Sequence, residues 1–240
     1  MLLINDHIET LDLSAALQTI SPQRREQALR YKHEQGQRQC VAAYLLLKQA
    51  LHEEEGIDEN PLFEYGEHGK PSIVGHPELY FSLSHCKEAT ACILSRKPVG
   101  IDVESVGRYN ERVARYAMSD AEMLKIEQAE RPEVMFIRLW TMKESLLKLT
   151  GEGINDNIKQ VLENPHSSLP KDSSLFTLHS SLPKDSSLFT LHSSLPKDSS
   201  LFTLHSSLPK DSSLFTLHSS LSFTTIERLD KNYIYTVCEQ

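Results

Sequence analysis

The chain has 240 residues, of which 39% are apolar and 24% are charged, and its formal net charge is −8 at pH 7. A chain of this length can bury one large core or two small ones. Its longest apolar run covers residues 41–47, far short of the roughly 20 residues that a membrane-spanning helix needs. The acidic balance disfavours a nucleic-acid-binding protein, which would need a basic surface. We therefore expect neither a membrane nor a nucleic acid as a partner.

The N-terminus and the cysteines favour a cytoplasmic protein. The first residues lack the basic start of a secretory signal and include Asp6 and Glu9. The four cysteines are irregularly spaced and form no Cys-x-x-Cys pair, which disfavours both a zinc site and a disulfide framework. We expect a monomer in a reducing cytoplasm.

The N-terminal third predicts one strand and two helices. Residues 1–8 favour a short strand. Ser21-Pro22 is typical of a helix start, with serine at the N-cap and proline at the first helical position. A second helix is predicted over 37–54, because its apolar residues share one side and Gly56 follows it.

The rest of the chain predicts short strands and then further helices. Short segments of β character follow one another as FEYG, LYFSLSH, ATACILS and VGIDVESV (within residues 63–106). Helices are expected over 119–129, where Ser119 and Glu122 fit a capping box, and over 133–150, ahead of a glycine. FTTIERL and NYIYTVCE predict two closing strands (within 223–239). This order predicts an α+β fold with helices packed against small antiparallel sheets.

The segment VGIDVE (99–104) places two carboxylates on one side of a strand. Side chains alternate along a strand, so Asp102 and Glu104 share a face while Ile101 and Val103 point to the core. Two neighbouring carboxylates repel each other unless a cation lies between them, and oxygen ligands of this kind suit Mg²⁺. The alternative is an amphipathic strand with a solvated acidic face.

Two further segments carry candidate anion-binding groups. In WTMKESLLK, Glu144 and Lys148 lie one helical turn apart, so they could provide a carboxylate ligand and a phosphate partner or form a stabilising i,i+4 pair. Lys70 follows a glycine in a predicted turn, and Ser84 and His85 end a strand. These groups could bind a phosphate, or they could be a surface turn and a hydrogen-bonded core histidine.

In order and spacing, these segments resemble the 4′-phosphopantetheinyl transferases, specifically the two-lobed type that activates surfactin-like synthetases. The resemblance covers about residues 20–155 and, more faintly, the terminal strands. It is carried by ISPQRREQALRY (20–31), GKP (69–71), FSLSH (81–85), VGIDVE (99–104) and WTMKESLLKLTGEG (140–153).

The resemblance implies an activity and an architecture. The family moves the phosphopantetheine arm of coenzyme A to a serine of an acyl or peptidyl carrier protein, with Mg²⁺, and releases adenosine 3′,5′-bisphosphate. Its fold is a pseudo-dimer of two similar lobes, each a small antiparallel sheet packed with helices, with the active site in the cleft between them. Here the lobes would be residues 1–100 and 101–240.

The resemblance also implies a role for each motif residue. Lys148 would bind the pyrophosphate and steady the transition state, and Glu144 or a metal-bound water would take the proton of the serine. The predicted ligands of Mg²⁺ are Asp102, Glu104 and Glu144, and the predicted contacts of coenzyme A are Arg24, Arg38, Lys70, Pro71, Ser84, His85, Asp102 and Lys148.

Two further assignments stay open at this point. Glu122 stands where some relatives place another carboxylate near the metal, although its capping box explains it equally well. The acidic carrier would dock on a local patch, either the basic cluster within residues 24–32 or residues 108–118 with the helix after them.

A perfect tandem repeat interrupts the second half. HSSLPKDSSLFTL occurs four times over residues 166–217. Each unit could form a strand and a turn, or the repeats could be a loosely paired surface excursion.

Two other functions compete with the transferase. One is a non-catalytic interaction protein that uses the repeats, and the other is a different Mg²⁺-dependent phosphotransferase.

Overall fold

The computed structural model describes residues 1–66, 68–153, 157–163 and 221–240, with Arg108 described by its backbone alone. Eight strands are present in these ranges: β1 (Leu2–Asn5), β2 (Phe63–Tyr65), β3 (Pro71–Ile73), β4 (Tyr80–His85), β5 (Thr90–Ser95), β6 (Val99–Ser105), β7 (Ser222–Arg228) and β8 (Tyr233–Glu239). The same ranges contain six α-helices: α1 (Leu13–Thr19), α2 (Pro22–Leu29), α3 (Glu34–Glu55), α4 (Glu111–Ala117), α5 (Asp120–Gln128) and α6 (Pro132–Thr150).

All strand pairings are antiparallel and fall into three small sheets. The N-terminal sheet has the order β1-β5-β4, the C-terminal sheet has the order β6-β8-β7, and β2 pairs with β3 as a separate hairpin. Helix α3 packs on the first sheet and α6 on the second. The structure thus confirms an α+β fold with small antiparallel sheets packed with helices.

Local sequence signals account for most helix ends. Ser21 caps α2 by accepting a hydrogen bond from the backbone N–H of Arg24, with Pro22 at the first helical position. Ser119 and Glu122 form the predicted capping box of α5. Gly56 and Gly151 end α3 and α6 in the left-handed conformation that glycine adopts without strain. These predictions are confirmed, although α3 begins three residues before the predicted start.

Three elements were not predicted: α1, β3 and α4. Each is short, at three to seven residues. Such segments carry too few turns or alternations for a period to show in the sequence. The 166–217 repeats, by contrast, lie outside the described residues.

The two three-stranded sheets meet where β4 lies beside β6. The hydroxyl of Ser82 accepts a hydrogen bond from the backbone N–H of Ile101 at 3.1 Å, and that of Ser84 accepts one from the N–H of Val103 at 3.2 Å. Buried apolar side chains from both sheets fill the space around this seam: Cys86, Ala89, Ala91, Ile93, Val99, Ile101, Val103, Tyr233 and Val237. Serine side chains therefore satisfy part of the backbone of β6 where two sheets adjoin.

A glycine lets α6 lie directly on β6. A Cβ atom at Gly100 would be 2.0 Å from the carbonyl oxygen of Ser145 and 2.6 Å from the amide nitrogen of Leu149, both in α6. Only glycine permits this approach. Thr141 fixes the same helix to the sheet through a 2.8 Å hydrogen bond to Thr236 of β8. The strand that carries Asp102 is thereby held against the helix that carries Lys148.

No helix among the described residues is long and apolar enough to cross a membrane. All four cysteines are buried free thiols.

Candidate active site

Ser84, Asp102 and Lys148 form one connected polar group at the junction of the two sheets. The hydroxyl of Ser84 donates to Asp102 Oδ1 at 2.8 Å. The Lys148 ammonium donates to the same Oδ1 at 2.7 Å and to Ser84 Oγ at 2.9 Å. One residue comes from β4, one from β6 and one from α6, so the group exists only because these three elements converge.

The Asp102 carboxylate is buried, with a side-chain exposure of 4%. This excludes the alternative in which it lies on a solvated face of the strand. Its Oδ2 atom is also buried and has no hydrogen-bond partner within the described part of the chain. A buried carboxylate oxygen is costly when it is unpaired, so Oδ2 is an acceptor ready for a cation.

Lys148 forms its ion pair across the seam with Asp102 rather than along its own helix. The predicted alternative of a simple i,i+4 pair with Glu144 is therefore not the arrangement found in the described residues. Its side chain remains 30% exposed, so an anion from solvent can approach it.

Glu144 lies one helical turn before Lys148 and is partly buried. Desolvation raises its pKa to about 7, with a further contribution from the negative charge of Asp102 and an opposing one from Lys148. Glu144 therefore senses the charge of Asp102. A carboxyl with a pKa near 7 can lose or accept a proton at neutral pH.

Glu104 lies two residues beyond Asp102 on β6 and is half-buried. Among the described residues, no group of three or more His, Cys, Asp or Glu side chains is close enough to form a metal-binding cluster by itself. The chemistry nevertheless fits Mg²⁺, because the unpartnered Asp102 Oδ2 and the neighbouring Glu144 offer hard oxygen atoms of the kind that Mg²⁺ prefers. The ligand roles of Asp102, Glu104 and Glu144 stay predictions.

Lys70 reaches from the β2–β3 hairpin to the end of α6. Its ammonium donates a hydrogen bond to the carbonyl oxygen of Leu149, where the negative end of the helix dipole favours a cation. Burial lowers the pKa of Lys70. Pro71 follows it as the first residue of β3, opposite Tyr65. The structure thus brings the hairpin to the C-terminal end of α6.

His85 ends β4 next to the connected group. Burial lowers its pKa, and the positive charges of Lys148 and Arg24 lower it further. The imidazole is therefore held toward its neutral form at physiological pH, although a bound anion would reverse part of this effect.

The two arginines predicted to bind a phosphate already have partners. Arg24 is buried and donates to the carbonyl oxygen of Cys40 at 2.7 Å and to the side chain of Gln27 at 3.0 Å. Arg38 pairs with Glu34 one turn earlier and donates to the carbonyl of Leu11. Arg24 still acts on His85 through its charge.

Sequence reasoning missed Lys143, whose side chain is fully buried. Its ammonium pairs with Glu122 Oε2 at 2.7 Å. Glu122 thus takes part both in the capping box of α5 and in an ion pair inside the C-terminal core. A lysine beside Glu144 in a predicted amphipathic helix gave no signal that it would be buried.

This arrangement defines a class of site. The site combines a buried carboxylate that has one unpartnered oxygen, a lysine that forms an ion pair with this carboxylate, and a second carboxyl group whose pKa is raised. Such a site suits an anionic ligand that binds together with a cation. All of these groups lie at the junction of two sheets.

Comparison with known proteins agrees with this class. Residues 98–198 match the model of the 4′-phosphopantetheinyl transferase superfamily. Together with the relatives described next, this match shows that the chain is similar to that superfamily over this part of its length.

Three relatives illustrate the similarity. The chain is 28% identical to the 4′-phosphopantetheinyl transferase Sfp of Bacillus subtilis over 139 residues, which is 57% of this chain and 62% of the relative. It is 31% identical to the 4′-phosphopantetheinyl transferase psf-1 of Bacillus pumilus over 57% of this chain and 60% of the relative. It is 39% identical to the 4′-phosphopantetheinyl transferase AcpT of Salmonella typhimurium over 46% and 57%. The chain thus spans about three fifths of the length of these relatives.

Proposed function

We propose that this protein transfers the 4′-phosphopantetheine arm of coenzyme A to a serine of an acyl or peptidyl carrier protein in the cytoplasm. The observation that carries the proposal is the Ser84–Asp102–Lys148 group with Glu144 beside it. The same proposal includes a pseudo-dimer of two lobes that are divided near residue 100. Its active site would be the cleft between the lobes.

The reaction moves one phosphoryl group. The oxygen of the carrier serine forms a bond to the phosphorus that bears pantetheine, and the bond from that phosphorus to the bridging oxygen breaks. Adenosine 3′,5′-bisphosphate leaves with that oxygen, and the proton of the serine goes to a base. Such a reaction depends chiefly on positioning and on neutralising negative charge.

Each proposed residue has a task that its surroundings support. Asp102, Glu104 and Glu144 would hold Mg²⁺, which when bound supplies positive charge to the pyrophosphate. Lys148, whose side chain is 30% exposed, would donate to the pyrophosphate. Glu144, or a water beside it, would accept the proton of the serine.

The nucleotide end of coenzyme A would lie along the N-terminal part. Lys70 and Pro71 come from the hairpin, and Ser84 and His85 from the end of β4. Lys70 and Ser84 contact the C-terminal part of α6, at Leu149 and Lys148. Arg24 and Arg38 would supply positive charge for the 3′-phosphate. Each would first have to exchange a present partner for it, Cys40 or Glu34.

Of the two predicted carrier-docking patches, we propose the one on α4 and α5, although the basic cluster also exposes apolar residues at Leu29 and Tyr31. A cavity of about 510 Å³ is lined on α4 and α5 by Arg115, Met118, Asp120, Met123, Leu124, Glu127 and Lys159. On the same two helices Val113, Tyr116 and Leu124 are 42%, 59% and 53% exposed. An apolar patch with charged neighbours is typical of a protein-binding surface.

Mass spectrometry tests the activity directly. Incubation with coenzyme A, Mg²⁺ and an unmodified carrier protein should add about 340 Da to the carrier, the mass of the transferred arm. Lys148→Met should abolish this gain, and Lys97→Met, at an exposed position between β5 and β6, should preserve it. Absence of the gain with fatty-acid, polyketide and peptide carriers would contradict the proposal.

A second measurement separates the competing functions. Coenzyme A with Mg²⁺ should raise the unfolding temperature if the protein binds both. An interaction protein that uses the repeats would show no such rise. A different Mg²⁺-dependent phosphotransferase would show it without any gain in carrier mass.

A further inference from the structure

The Lys143 ammonium is the centre of a polar cluster inside the C-terminal core, in which Glu122 Oε1 is buried and has no hydrogen-bond partner among the described residues. Its side chain has 0% exposure. Four oxygens surround the Nζ atom: Glu122 Oε2 at 2.7 Å, the carbonyl of Ile158 at 2.8 Å, and the carbonyls of Ala117 and Lys159 at 3.1 Å. All three N–H bonds of the ammonium are therefore satisfied without water.

These four oxygens come from three separate segments. Ala117 ends α4, Glu122 lies in the first turn of α5, and Ile158 and Lys159 belong to a short 3₁₀ turn. Glu122 Oε2 also accepts the backbone N–H of Ser119 at 2.8 Å. One side chain of α6 therefore fixes the positions of α4, α5 and the 3₁₀ turn at once.

Stability alone does not explain a buried ion pair at this place. Removing an ammonium and a carboxylate from water is costly, and apolar residues of similar volume are often as stable or more so. Met118, Ile126 and Ile158, from the same three segments, are buried in the C-terminal core. Methionine could fill the same space, but it would not donate to the three carbonyl oxygens. Directional hydrogen bonds fix geometry in a way that apolar contacts do not.

The segments that Lys143 holds also form the cavity on α4 and α5. Three residues that line this cavity belong to these segments. Met118 follows Ala117, Asp120 lies two residues before Glu122, and Lys159 provides one of the carbonyl oxygens around the ammonium. On α6 the next residue after Lys143 is Glu144. Lys143 thus connects the wall of the proposed docking surface to the helix that carries the proposed base.

We propose that Lys143, together with Glu122, is a positioning residue that sets the α4–α5 docking surface relative to Glu144 and so places the carrier serine for reaction. This inference rests on the proposed function. It predicts that loss of the pair impairs use of the carrier protein but leaves the binding of coenzyme A intact.

The test uses the full chain and two variants. Lys143→Met removes the ammonium but leaves Glu122 buried without its cation, so it is expected to destabilise the fold. The double variant Lys143→Met/Glu122→Gln removes both charges, and the amide oxygen of glutamine can still accept the N–H of Ser119. Lys97→Met is the matched surface control.

The expected result for the double variant is a fall of about tenfold or more in kcat/KM for the carrier protein. The coenzyme A concentration that gives half of the maximal thermal stabilisation should stay within about twofold of the wild-type value. A merely structural role would move both measurements together or neither. An unchanged kcat/KM for the carrier, or an equal loss of coenzyme A binding, would overturn the inference while the proposed function stands.

Failure of the proposed function gives a different pattern. The wild-type protein itself would then neither modify a carrier nor be stabilised by coenzyme A with Mg²⁺. That outcome overturns the inference together with the function on which it rests.

Discussion

A hydrogen bond of 2.8 Å joins Ser84 of β4 to Asp102 of β6 and crosses from one sheet to the other. The same hydroxyl accepts from Lys148 and from the backbone N–H of Val103. Ser84 therefore serves the seam between the sheets and the candidate site at the same time.

Ser84→Ala should destabilise the protein by about 1–3 kcal/mol, because it leaves the buried N–H of Val103 without an acceptor. The free energy of unfolding in urea measures this loss. Ser72→Ala is the control, since the hydroxyl of Ser72 makes only a long 3.4 Å contact with exposed Glu64, and it should cost less than about 0.5 kcal/mol. Equal values for the two variants would contradict the role of Ser84 at the seam.

Gly100→Ala should be far more damaging than its size suggests. The new methyl group would lie 2.0 Å from a backbone oxygen of α6, so the helix must move away from β6. We expect a loss of about 4 kcal/mol or more in the free energy of unfolding. Gly107→Ala is a matched control, because a Cβ at Gly107 meets no heavy atom within 4 Å. Similar stabilities of the two variants would show that α6 does not depend on this close approach.

The raised pKa of Glu144 predicts a pH dependence of the metal-free protein. Its folded pKa of about 7 lies above its ordinary value of 4.5. Between these values the folded state binds more protons than the unfolded state, so this contribution to stability is lost as pH rises through 7.

Urea unfolding in a metal chelator between about pH 5 and pH 8 checks this. Relative to Glu144→Gln, the wild-type protein should lose stability as pH rises. Glu54→Gln, at an exposed position of α3, should follow the wild type. Parallel curves for the wild type and Glu144→Gln would place the pKa of Glu144 in its ordinary range.

Asp102→Asn should weaken Mg²⁺ binding by at least about tenfold, because it removes charge from the buried carboxylate with the open Oδ2 atom. Calorimetric titration with Mg²⁺ in the presence of coenzyme A measures the affinity. Asp58→Asn, whose side chain is 81% exposed, should bind like the wild type. Wild-type affinity in Asp102→Asn would remove this residue from the metal site.

Lys148→Met should have opposite effects on the two ligands. The ammonium now neutralises Asp102, so its loss should strengthen binding of Mg²⁺ alone, while coenzyme A loses a partner for its pyrophosphate. Titrations with Mg²⁺ alone and with coenzyme A separate the two effects, and Lys97→Met is the control. Weaker binding of both ligands would show that Lys148 does not compete with the cation.

The strength of local signals explains which parts of the fold the sequence predicted. The capping box at Ser119 and the Gly151 cap involve residues only a few positions apart, and both appear as predicted. The strands at 80–85 and 99–105 also follow from their composition. Helices α1 and α4 have seven residues each and begin at the side-chain N-caps Asp12 and Asn110. These caps are local signals that the prediction passed over, and seven residues are too few for a helical period to show.

The candidate site also has a part that the sequence predicted and a part that it did not. The motifs selected Ser84, Asp102, Glu144 and Lys148, and the structure connects these four through hydrogen bonds or charge. Sequence reasoning did not predict that Lys148 pairs with Asp102 instead of Glu144, that Arg24 is occupied by a backbone carbonyl, or that Lys143 is buried. Each of these facts depends on partners at least 16 residues away in the chain, or on burial.

The sequence by itself determined the chemical groups, the resemblance to a family and the C-terminal ends of the long helices, because these depend on residue identity and on hydrogen bonds between near neighbours. Only the tertiary structure decided how the charges are shared. The close approach of α6 to β6 at Gly100 removes water from Asp102 and brings Lys148 to it, and burial then raises the pKa of Glu144. Desolvation and long-range contacts of this kind arise only when distant segments pack together.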